Sequence, residues 1–107
     1  MVPIDKVKDI INKHDVLEKE LSSGNIDPKL FVKKSKEYSS LGGIIKIARE
    51  YINFENEKKD LTNIVQDKSN DSDIIDLAQK DLNELIIKKE KYENDLKVFL
   101  LPKDEDD

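Results

Sequence analysis

One spacing constrains this chain more than any other. Ile75, Ala78, Leu82, Leu85, Lys89, Tyr92, Leu96 and Phe99 recur at alternating intervals of three and four, which lays them along one side of a single long helix. A row of that length requires a partner to cover it. Asp67 to Asp73 is a polar turn rich in Lys, Ser, Asn and Asp, and Asp71 or Ser72 is placed to cap the helix that follows, with Asp73 and Asp76 near the positive end of its dipole. Upstream of that turn, Ile44, Ile47, Ala48, Tyr51, Phe54, Leu61 and Val65 mark a second helix of about 24 residues, flanked by Ile45, Ile52 and Ile64. Two helices of similar length with a short turn between them predict an antiparallel hairpin with coiled-coil-like packing. Lys58 and Lys89 interrupt the two apolar rows, where either snorkelling or pairing with acids such as Glu55 or Glu93 reconciles their charge with that place.

Two shorter helices precede the hairpin. Pro3 suits a first helical turn, and Pro3, Val7, Ile10, His14, Leu17 and Leu21 share a face widened by Ile4 and Ile11. Ser22, Ser23, Gly24 and Asn25 stop it. Asp27 followed by Pro28 restarts a helix, since the carboxylate accepts from exposed N–H groups and proline arrives with φ already set. Its face is Phe31, Ser35, Tyr38 and Leu41. Gly42 and Gly43 together cost a helix interior roughly 2 kcal/mol relative to alanine, which predicts a break there.

Composition agrees with an all-α fold: an antiparallel bundle of about four helices dominated by the C-terminal hairpin. Hydrophobic residues make up 36% and charged ones 40% of 107 residues, so one elongated domain with a thin core is expected. No apolar run is long enough for a membrane span or a secretory signal. With no cysteine, disulfides and thiolate chemistry are excluded, and a cytoplasmic protein is expected. The net charge is −5, yet Lys103 and the four acids of 104–107 account for much of it, leaving 18 basic against 20 acidic residues in 1–102. That near balance speaks against a nonspecific grip on DNA or RNA phosphates.

Two stretches carry a family resemblance. Ser35-Lys36-Glu37-Tyr38-Ser39-Ser40-Leu41 and, more specifically, Leu100-Leu101-Pro102-Lys103-Asp104-Glu105-Asp106-Asp107 resemble the N-terminal helical domain of bacterial class 1 peptide-chain release factors. The second stretch is similar to the junction that ends this domain in the member reading UAA and UAG, which carries Pro at the position of Glu105. Gly42-Gly43 is a further departure, where relatives begin a helix more firmly. The resemblance covers the whole chain in order. It implies a helical domain at 1–102, with 103–107 the start of an acidic linker to codon-reading and catalytic domains. It also implies a cytoplasmic, monomeric module without membrane or DNA contact. Its partners would be the ribosome, at the large-subunit stalk base near the GTPase-associated centre, and the class 2 release-factor GTPase.

The family's Pro-x-Thr codon-reading motif and Gly-Gly-Gln catalytic motif do not occur in the sequence, where Gly42-Gly43 is followed by Ile44. The chain is therefore not expected to be an enzyme, and no cofactor or metal is expected. His14, the only histidine, lacks a second histidine or a nucleophile and fits a half-buried packing role. Asp71, Asp73 and Asp76 lack the alternating pattern and glycine of a calcium loop, so capping accounts for them. Tyr38, Tyr51, Phe54, Tyr92 and Phe99 lie on the apolar rows and belong to the core rather than to a base-stacking platform. Partner contact is expected at the exposed tip of the hairpin, through Lys68, Asn70 and Asp71. A reading of a different class is a freestanding helical adaptor whose apolar rows close on a second copy.

Overall fold

The computed structural model describes residues 2–102; the expected linker at 103–107 lies outside them. Four helices follow in order, α1 (Ile4–Ser22), α2 (Pro28–Gly42), α3 (Ile45–Gln66) and α4 (Ser72–Leu100), and among the described residues there is no strand. They form two antiparallel hairpins. In the first, Lys13 lies 3.8 Å from Glu37, and Glu20 pairs with Lys34. In the second, Tyr51 reaches Glu93 at 3.2 Å and Phe54 reaches Lys89 at 4.6 Å, which fixes the register of α3 on α4.

Local chemistry explains most of the boundaries. The Asp27 carboxylate accepts from the Lys29 amide at 2.9 Å, with Pro28 as the first helical residue. Gly24 has φ 75, the left-handed conformation that disfavours a side chain and lets the chain leave α1. Pro3 sits one place before the first helical residue and caps through its backbone, its carbonyl accepting from the amides of Lys6 and Val7 at 3.2 and 3.3 Å. Asp71 occupies the N-cap of α4, but its carboxylate makes no cap bond; the backbone carbonyl alone accepts, from Ile75 at 3.0 Å. The break at Gly42-Gly43 is slight. Gly43 and Ile44 keep helical dihedrals, and the Ile44 amide donates to Leu41 at 3.1 Å, so the chain tightens for one turn and continues.

The core lies where the roots of both hairpins meet. Val7, Ile10 and Leu17 of α1, Leu41 of α2, Ile44, Ala48 and Tyr51 around α3, and Leu96 of α4 are buried together, with Val2 beside them. Each fully enclosed aliphatic side chain contributes about 1.5–3 kcal/mol relative to exposure. All eight residues of the predicted α4 row are buried or half-buried, with Leu96 completely enclosed. That row therefore closes on α3 of the same chain. Beyond Phe54 the arms of α3 and α4 have only each other. The molecule measures 60 × 36 × 19 Å with a radius of gyration of 18.7 Å, against about 13 Å for a compact domain of this length.

Three sequence expectations fail at the margins. Ile4 is exposed, standing to one side of the face on which Val7, Ile10 and Leu17 are buried. Phe31 is exposed as well, and the row it shares with Tyr38 and Leu41 turns inward only in its second half. The reason is length: the antiparallel partner α1 stops at Ser22, so the start of α2 runs past its cover. Lys58 is exposed and not seated in the seam.

Candidate docking surface

The turn between α3 and α4 is built from short polar side chains that satisfy the backbone locally. The Asp67 carboxylate accepts from the Ser69 amide at 3.0 Å and from its hydroxyl at 2.6 Å. Those bonds, the hydroxyl first, hold the Asp67 carboxyl below its ordinary range. The Asn70 amide group donates to the Ile64 carbonyl at 3.1 Å and so satisfies one of the last free carbonyls of α3. Asn70 is accordingly half-buried, while Lys68 and Asp71 are exposed. Of the three residues expected at the tip, Lys68 and Asp71 are presented to solvent and Asn70 holds the loop in shape.

A second polar group joins three helices at the other end. The His14 ring, 8% exposed, stacks on Tyr38 with centroids 4.8 Å apart, which bears out its packing role. Its Nδ1 lies 3.1 Å from Asp15 Oδ1, the oxygen that also accepts from Arg49 of α3 at 2.7 Å. These two contacts, that of His14 first, hold the Asp15 carboxyl below its ordinary value. The Tyr38 hydroxyl donates to Glu18 at 3.2 Å; desolvation first, then that carboxylate, push the phenol up. Sequence spacing alone could not show this group, because Tyr38 and Arg49 arrive from separate helices.

His14, Asp15 and Glu18 each offer a metal-ligand atom within 4.8 Å of one another. Their oxygens already serve Arg49 and Tyr38, so the group works as a tie between helices. Among the described residues no other set of three such side chains gathers as closely, and Asp71, Asp73 and Asp76 are strung along the exposed first turns of α4. A groove in the hairpin is lined by residues that include Glu50, Tyr51, Phe54, Leu85, Lys89 and Tyr92. Hydrogen bonding to Glu50 pushes the Tyr92 phenol up, and burial does so for Tyr51, so these phenols stay protonated well past neutrality.

Such a molecule is an elongated helical bundle with loops at the ends of two hairpins. By sequence the chain belongs to the PCRF domain family, whose model matches residues 10–107. It is 50% identical, over all of its length, to "Peptide chain release factor 1" of Pelagibacter ubique, and 41% identical, over 94% of its length, to the protein of that name in Wolbachia pipientis. Rickettsia bellii has a relative of the same name at 34% identity over 96% of the chain. The chain spans 28–30% of the length of these curated relatives. No solved structure matches. Among the described residues, no helix is long and apolar enough to cross a membrane.

Proposed function

We propose that this chain is the ribosome-docking module of a translation termination factor directing peptide release at UAA and UAG. The observation that supports this most is 50% identity to a peptide chain release factor 1 across all 107 residues. In this reading residues 1–102 are the helical module and 103–107 begin the linker. The module lies in the cytoplasm as a monomer, seated at the stalk base of the large subunit near the GTPase-associated centre and beside the class 2 release-factor GTPase. Lys68 and Asp71 at the hairpin loop make the contact, with Asn70 keeping the loop in register. The module orients; hydrolysis of the peptidyl-tRNA ester belongs to Gly-Gly-Gln, which this sequence lacks.

A release assay on stop-codon-programmed ribosomes tests the division of labour. Residues 1–107 alone should leave the peptide attached, and any hydrolysis above the no-factor control refutes a purely orienting role. Co-sedimentation with ribosomes tests the contact. The chain should pellet with them, and Lys68→Ala should weaken pelleting without altering the thermal midpoint. Packing of the α4 row on α3 of the same chain supports a monomer over a freestanding adaptor that closes on a second copy; a stable dimer in sedimentation equilibrium would favour the adaptor.

A further inference from the structure

The chain leaves α4 beside a groove that carries more cations than anions. Leu101 has left the helix in an extended conformation, with φ −64 and ψ 140, and is 63% exposed. It lines this groove together with Val2, Pro3, Lys6, Lys97 and Leu100. Lys6 and Leu100 also line a neighbouring groove, whose apolar wall includes Ile10 and Phe99 and whose rim carries Lys13 and Asp9. The two grooves share these walls and run on from one another. Lys6 and Lys97 are exposed and have no ion-pair partner among the described residues, while Lys13 reaches Glu37 only at 3.8 Å. Three lysines therefore face one carboxylate of the grooves' own lining, in a chain whose net charge is −5.

We propose that these grooves seat the chain's own acidic segment at 103–107, with the carboxylates of Asp104, Glu105, Asp106 and Asp107 on Lys6, Lys97 and Lys13. Charge supports it: the segment carries four acids and one lysine, the complement of the rim. Reach supports it as well. Five residues extend up to about 17 Å, and they start from a groove that Lys6 and Lys97 already line; Lys13 lies about 10 Å further along α1, seven residues at 1.5 Å each. Exposed ion pairs are individually weak, but this segment is tethered at the edge of its site and needs no bimolecular encounter to reach it. The exposed Lys29, Lys33 and Lys36 of α2 offer charge too, but the end of α4 lines no groove with them. Seated in this way, the segment leaves α4 along α1, and its direction is set by the folded domain. The inference goes beyond the docking of the hairpin loop, does not depend on it, and holds whatever the family role of the chain.

The test uses the 107-residue chain, which has no cysteine, so that Glu105→Cys takes a single nitroxide label and leaves three acids in the segment. At low salt the label should broaden the amide signals of Lys6, Ile10 and Lys13. That broadening should fall about twofold or more in roughly 0.5 M salt, where surface charges are screened. Lys6→Gln combined with Lys97→Gln should lower it to a similar extent, and so should Asp104→Asn, Asp106→Asn and Asp107→Asn together, which leave residues 2–102 unaltered. Circular dichroism should remain that of the parent, since these side chains lie outside the core. Broadening that neither salt nor the charge variants change would overturn the proposal, as would stronger broadening at Lys29, Lys33 and Lys36 than at Lys6. So would equal broadening when the label and the observed amides are on different chains, which would give the grooves to the segment of a second copy.

Discussion

His14 shows how much one side chain can connect. Its ring packs on α2 while its nitrogen shares Asp15 with Arg49 of α3, so replacement by alanine removes a stacked aromatic contact and leaves Asp15 with Arg49 only. His14→Ala should cost about 2 kcal/mol in urea unfolding. The tie also predicts a pH dependence. Because folding lowers the Asp15 pKa, its contribution is present above the ordinary value of 3.8 and is lost as pH falls through the folded value. Asp15→Asn should therefore shrink the stability difference between pH 7 and pH 3, as read from thermal midpoints. At the hairpin loop Asn70→Ala should cost about 1 kcal/mol through the orphaned Ile64 carbonyl. Lys68 is exposed, so its loss should show in partner binding alone.

The helices themselves were legible from the chain because each carries its own start, stop and period. The α4 row is the clearest case: every position read from the three-and-four spacing faces inward. Leu96→Ala should cost about 3 kcal/mol, whereas Ile87→Ala, on the exposed side, should stay within about 0.5 kcal/mol; both are readable in the same denaturation series. What the spacing could not supply was the length of the neighbour. Phe31 has the period of a core residue and lacks only a turn of α1 to cover it. The two kinds of glycine also look alike in sequence and differ in the fold. Gly24 at φ 75 resists a side chain, while Gly43 has a negative φ and open space where a Cβ would go. Gly43→Ala should stabilise by roughly 0.5 kcal/mol and Gly24→Ala destabilise by about 1 kcal/mol.

At the scale of the whole molecule, two hairpins share one core at their roots and extend away from it. Small-angle scattering should return a radius of gyration near 18.7 Å; a value close to the roughly 13 Å of a compact domain would contradict the arrangement. The elongated shape was legible in the excess of charged over apolar residues, and the net charge was not a guide to the local one. Lys29, Lys33 and Lys36 all stand exposed on α2, a local excess that the balance of 18 basic against 20 acidic residues in 1–102 does not reveal. The arm beyond Phe54 has a mechanical consequence. From there to the loop is about 20 Å of two-helix rod anchored only at its base, a cantilever. Tilting it by some 10° at the base carries the loop about 3–4 Å sideways, by the same rise per residue. The tip can thus shift sideways while the packing around Leu96 stays as it is.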